Sequence, residues 1–245
     1  MTATLLALAA TTLLAFAVKA ATGFGPALVV VSLGSLLVGP AQAVVLAAFL
    51  DLASGASLLW IDRRRLRPGH WWRLALTMSA GAVAGGLLLD VIPTETLTRI
   101  VALGILGFGL WMLLQRPDHT RGPTARAAPR RPLVEHGIVA AGGVSGGLIG
   151  VGGPPLVVYY GARLPKQAFR ATIVPLLLAA AVTRVATYTA TGLVDRDLLV
   201  LVAASLPALP LGVALGNGVF HRWSERAFRT AIALLVTAAG VRLLV

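Results

Sequence analysis

Three ionisable side chains stand where a charge is expensive. Lys19 is the only charged residue among the first 50, Asp51 sits in the middle of the apolar stretch 41–60, and Arg184 lies deep within 168–190. A cation at the centre of a bilayer costs roughly 2.5–3.5 kcal/mol on insertion scales, so such residues face a protein interior or a water-filled cavity. Lys19 and Arg184 thus offer positive charge to a small anion, with Thr22, Thr183 and Thr187 nearby as hydroxyl donors. Asp51 has two readings: an ion pair with Lys19 or Arg184, or a desolvated carboxyl that takes up a proton and couples it to transport. Each cation has a plainer reading too. Lys19 can snorkel to an interface, and Arg184 can serve a structural ion pair.

Two glycine–proline breaks lie close to these charges. Gly23-Phe24-Gly25-Pro26 follows Lys19, and Gly150-Val151-Gly152-Gly153-Pro154 lies ahead of the stretch that holds Arg184. Glycine and proline interrupt a membrane helix and free its backbone N–H groups. New helices starting at Pro26 and Pro154 would aim the positive ends of their dipoles at an anion. The anion site expected from sequence is therefore Lys19, Thr22, Gly23, Gly25, Pro26, Gly150, Gly152, Gly153, Pro154 and Arg184, with Asp51 as the proton-coupling residue. The competing reading is close helix packing, since Gly143/Gly147 and Gly146/Gly150 are small-xxx-small pairs. No strand-like run precedes either cluster, which excludes a soluble phosphate loop.

The elements that must position these residues are membrane helices. Of the 245 residues 57% are hydrophobic and 12% charged, about half the charge of an average soluble domain. Apolar stretches near 3–20, 26–38, 41–60, 72–90, 97–114, 134–149, 154–162, 168–190, 197–217 and 228–244 cover most of the chain. The long ones suit helices crossing a hydrocarbon core of roughly 30 Å, and none alternates as a barrel strand would. Pro26-Ala27-Leu28-Val29-Val30 returns as Pro154-Pro155-Leu156-Val157-Val158, and Thr94-Glu95-Thr96-Leu97-Thr98-Arg99 matches Ser224-Glu225-Arg226-Ala227-Phe228-Arg229, at separations of 128 and 130. The expected fold is all-α and polytopic. Two repeats, 1–114 and 133–245, each hold an interrupted helix pair and three long helices, and a Pro- and Arg-rich linker, 115–132, joins them.

Sixteen of the 21 basic residues flank four loops, including Arg63–Arg65, Arg67, Arg121, Arg126, Arg163 and Arg222. The positive-inside rule makes all four cytoplasmic. Three long crossings then run between one inside loop and the next region, so the interrupted pairs enter and leave from one face. The repeats come out oppositely oriented, with both termini outside. Residues 2–18 lack a basic n-region and are expected to remain as a mature segment.

Other function classes are poorly supported. The net charge of +12 is spread as topology determinants and not as a nucleic-acid face. There is no cysteine, and His70, His119, His136 and His221 show no metal-ligand spacing. Ser145 lies outside a Gly-x-Ser-x-Gly elbow, so neither an enzyme nor a cofactor or metal site is expected.

With its glycine breaks followed by Pro-x-Leu, the chain resembles the TauE/SafE family of sulfite exporters over nearly its whole length. The likeness is clearest at Gly147-Leu148-Ile149-Gly150-Val151-Gly152-Gly153-Pro154-Pro155-Leu156, and the first copy, Gly23-Phe24-Gly25-Pro26-Ala27-Leu28, is sparser in glycine. The resemblance implies a secondary transporter of the inner membrane that exports sulfite or a related organosulfur anion, coupled to protons. Its partners are the anion and the bilayer. A passive anion channel on the same scaffold is the alternative.

Overall fold

The computed structural model describes residues 2–22, 26–62, 71–114, 131–161, 163–164, 166–220 and 225–244. Among them every regular element is an α-helix and there is no strand. The first half holds α1 (Thr2–Thr22), α2 (Ala27–Val38), α3 (Pro40–Asp62), α4 (Trp71–Val91) and α5 (Thr94–Leu114). The second holds α6 (Pro132–Ile149), α7 (Gly153–Gly161), α8 (Lys166–Ala190), α9 (Arg196–Ser205), α10 (Ala208–Phe220) and α11 (Glu225–Leu244). Most of the linker at 115–132 and the arginines at 63–67 lie outside the described residues.

Among the described residues six stretches are long and apolar enough to cross a bilayer: Pro40–Ser57, Trp71–Val91, Thr94–Leu114, Pro132–Ile149, Ala171–Ala190 and Arg196–Gly216. The last is one span by hydropathy but two helices in the fold. A turn at Leu206 and Pro207 separates α9 from α10, where an uninterrupted helix over 197–217 was expected. Pro207 has no N–H to donate and its ring crowds the preceding turn, which is sufficient cause for the interruption. Asp195 is the N-cap of α9, and its carboxylate accepts from the Leu198 amide at 2.7 Å.

The ends of the interrupted helices are set by glycine. Gly39 (φ 86°) closes α2 and Gly150 (φ 74°, ψ −3°) closes α6 in a left-handed conformation that side chains with a Cβ avoid. Pro40 then opens α3 at a position where its missing N–H costs nothing.

The most extensive helix contacts join one half to the other: α4 with α6, α1 with α10, α5 with α11, α4 with α8, and α3 with α8. Glycine allows the first two. A Cβ on Gly81 would stand 2.5 Å from the Ala140 carbonyl oxygen, and one on Gly85 would strike the Val144 carbonyl and approach the Leu148 nitrogen to 2.9 Å. Gly143 and Gly147 meet α4 in the same way, through the Met78 and Ala82 carbonyls. On the other side, Gly212 and Gly216 of α10 press on the Leu13 and Ala17 carbonyls of α1. The packing reading of Gly143/Gly147 thus describes the structure. The pair Gly81/Gly85 recurs as Gly212/Gly216 at a separation of 131, close to that of the sequence repeats.

These close approaches give opposite signs to two similar substitutions. Gly137 has nothing within 4 Å of an added Cβ, so Gly137→Ala in α6 is expected to stabilise by up to about 1 kcal/mol through helix propensity alone. Gly85→Ala gains the same propensity but drives a methyl into α6 backbone, and is expected to destabilise by roughly 1–3 kcal/mol. Thermal unfolding of the detergent-purified variants reads both. Equal shifts would show that the α4–α6 contact is not what glycine serves.

Candidate functional site

Arg184 is brought to Asp51. The guanidinium Nη2 donates to Asp51 Oδ2 at 2.7 Å, joining α8 of the second half to α3 of the first. Nη1 reaches two backbone carbonyls where α6 ends, Gly146 O at 3.2 Å and Gly150 O at 3.4 Å. A helix C-terminus carries partial negative charge on its unbonded carbonyls, so a cation there is doubly favoured. The sequence pointed to helix N-termini beside Arg184. The fold instead sets the arginine on the carbonyl end that the glycine break exposes. Arg184 Nε is buried with no hydrogen-bond partner among the described residues.

The second cation is held nearby. Lys19, in the last turn of α1, donates from Nζ to Ser54 Oγ at 2.8 Å, and its ammonium stands 5.3 Å from the centre of the Phe16 ring. Ser54 Oγ in turn donates to the Asp51 backbone carbonyl at 3.3 Å. Lys19, Ser54, Asp51 and Arg184 therefore form one polar chain through otherwise apolar helices of both halves. Lys19 is bonded inward to another helix, which separates it from a snorkelling lysine. Ser54 was not anticipated, although its place three residues after Asp51 puts both on one face of α3.

The remaining expected residues divide. Pro26 is buried and caps α2, with no side-chain bond to the first-turn amides of that helix. Gly23 and Gly25 lie outside the described residues, as does the side chain of Thr22. Thr183 and Thr187 donate to carbonyls of their own helix, Ala179 O at 2.8 Å and Thr183 O at 2.9 Å. Gly150 packs on the first half: a Cβ there would stand 2.7 Å from Val31 Cγ2 of α2 and 3.6 Å from Val44 Cα of α3. Gly152 packs on α6, within 2.6 Å of the Gly142 carbonyl for an added Cβ, so its smallness is required by the fold itself. Gly153 is different, because an added Cβ there meets nothing within 4 Å at the start of α7.

An apolar cleft of about 300 Å³ lies on the other side of the second break, lined by Gly107, Phe108, Ser145, Val151 and Pro155 among others. None of its lining residues is charged, so a desolvated anion would find nothing there to offset its burial. The charges lie instead in the chain formed by Lys19, Asp51 and Arg184. Tyr188 supports the break from behind, its hydroxyl donating to Gly147 O at 2.6 Å. Among the described residues no group of His, Asp and Glu could hold a metal ion.

The family model described as sulfite exporter TauE/SafE matches residues 8–243. No curated protein and no solved structure matches the chain.

The ion pair makes a folding prediction separate from transport. Arg184→Gln leaves Asp51 without its cation, and Asp51→Asn leaves Arg184 with carbonyls alone. Breaking a buried pair costs roughly 3–5 kcal/mol, while removing both charges costs much less. In a double-mutant cycle followed by thermal unfolding, the combined variant is expected to recover most of the stability lost in Arg184→Gln. Strictly additive losses would mean that the two side chains do not support each other in the folded protein.

Proposed function

The chain belongs to the sulfite exporter TauE/SafE family, and from that premise we propose that it is a secondary transporter exporting sulfite or a related organosulfur anion across the inner membrane, coupled to protons. Membership supplies the transporter class and the sulfur-compound substrate. What supports a site in this chain is one juxtaposition: the buried Arg184–Asp51 pair meets the second glycine break, which itself abuts α2 just after the first. The anion sits beside Arg184 and Lys19, with the first turn of α2 adding backbone N–H groups. Gly153 leaves room for it. Asp51 carries the proton.

We read the two halves as inverted repeats. Several helix pairings favour this, since exchanging the halves turns α4–α6 into α10–α1 and maps α3–α8 and α5–α11 onto themselves, although α4–α8 has only the much smaller α3–α9 contact as its counterpart. The orientation itself rests on the arginine-rich loops. A single cysteine placed at Ala125 is expected to resist an impermeant thiol reagent added outside intact cells. Labelling there would overturn the inside assignment of the linker.

Transport is tested with purified protein in liposomes loaded with sulfite. The parent protein is expected to release sulfite and, with a pH gradient imposed, to accumulate it beyond the level that trapping of the dissociated dianion alone gives, which a passive channel cannot do. Lys19→Gln removes a charge-assisted contact worth about 1.5–3 kcal/mol, so sulfite affinity should fall roughly ten- to hundredfold with folding preserved. Gly153→Leu should slow flux at unchanged melting temperature. Full flux in both variants would remove the anion from this site.

A further inference from the structure

Arg184 has an edge built for two oxygens and gives it only one. Nε–H and one Nη2–H point in parallel from a guanidinium, the geometry that binds carboxylates and other oxyanions through two bonds at once. Here Asp51 Oδ2 takes Nη2 at 2.7 Å, while Nε stays buried and unpartnered. Nη1 is committed to the Gly146 and Gly150 carbonyls, so the half-used edge is what remains for a ligand. The Asp51 side chain is 22% exposed and that of Arg184 5%. The Asp51 side chain is thus the more accessible of the two, and two negative groups cannot share one edge in a low-dielectric interior.

We propose that Asp51 is an internal competitor for the anion: its carboxylate holds Arg184 while the site is empty, and it must take up a proton for the anion to occupy the full Nε–Nη2 edge. The inference rests on the anion site proposed above and adds the sign of the coupling. One proton passes from water to an Asp51 oxygen, the ion pair opens, and one oxyanion replaces it with both oxygens on Arg184. Anion and proton are then bound in the same state of the protein and cross together. An exchange that loads the anion as the proton leaves is the opposite linkage. Net export in this scheme is set by the outward sulfite gradient, and an inward proton gradient opposes it.

Other charges around Asp51 are few. Lys19 and Tyr188 are within electrostatic reach, Lys19 from α1 and Tyr188 beside Arg184 on α8. α2 has no charged residue, and those of α5, α6 and α9 lie in the first two turns of their helices. Lys19 keeps its bond to Ser54 whether or not Asp51 is protonated, because Ser54 contacts the Asp51 backbone and not its carboxylate.

Sulfite itself titrates near neutrality, so the test uses a ratio. Sulfite Kd is measured for the parent and for Asp51→Asn at matched pH values between about 5.5 and 8.5, and the parent's Kd is divided by the variant's. The ligand's own ionisation cancels. The ratio is expected to climb about tenfold per pH unit once Asp51 is ionised in the empty protein, as one linked proton requires. A ratio that stays flat overturns the proposal, as does weaker binding by Asp51→Asn at every pH. Because that variant can fail to fold, infrared difference spectra of the parent provide a second reading. Adding sulfite at fixed pH should create a protonated carboxyl band that shifts with ¹³C-labelled aspartate, and its absence also overturns the proposal. Failure to bind sulfite at any pH would reject the anion site itself together with the coupling, whereas binding with a flat ratio rejects the coupling alone.

Discussion

A guanidinium held inside a bilayer must be answered from within the protein, and the arrangement of these helices follows from how Arg184 is answered. Lipid supplies no acceptor, so every N–H of the side chain needs a partner from the chain or remains a cost. Asp51 supplies charge from the opposite half, and the end of α6 supplies two carbonyls: Gly146 O, shared with the Gly150 amide, and Gly150 O, which an unbroken helix would have kept for itself. The glycine break at 150 thus has a structural role of its own: it frees the Gly150 carbonyl that helps to hold an arginine inside the helices.

The same glycines that break one helix let others come close. Gly143 and Gly147 lie on the α6 face that meets α4, one residue round from Gly142 and Gly146, on which Gly152 closes. The stretch Gly142-Gly143-Val144-Ser145-Gly146-Gly147 therefore serves two neighbours, α4 on one side and the start of α7 on the other. With both contacts made backbone to backbone, α6 has little freedom to rotate without collision. Its terminal carbonyls are fixed where Arg184 needs them. Packing that looks merely structural is what gives the polar chain its geometry.

Much of this was legible in the sequence because membrane helices announce themselves by length and composition. Each apolar stretch became a helix with ends within a few residues, apart from the proline turn that divides α9 from α10. Lys19, Asp51 and Arg184 stood out for the same reason, since isolated charges in apolar segments have few innocent explanations. What could not be read was which partner each would take. Hydropathy shows depth along one axis, whereas pairing depends on how helices rotate and which half lies opposite. Arg184 found backbone carbonyls that no side-chain pattern encodes, and Asp195 became a cap only because α9 starts just after it. The recurrence of Gly81/Gly85 as Gly212/Gly216 was readable, but its meaning required knowing that each pair faces the first helix of the other half.

A buried ion pair is weak grounds for stability, because apolar residues of similar volume often do as well or better. This pair is a poor stabiliser even by that standard. It uses a single point of contact, leaves Nε without a partner, and exposes part of its carboxylate. If the role of Asp51 and Arg184 were only to hold the halves together, a two-point pair sealed from solvent would do so more strongly. A pair that must open in each cycle has the reverse requirement, since every kcal/mol gained in closing it is lost when the anion displaces it. Because α3 and α8 belong to different halves, opening the pair also removes a charged tie between them. In the scheme proposed above, occupancy of the site would bear on the relative placement of the halves through this contact, and a pair of modest strength would keep the exchange reversible.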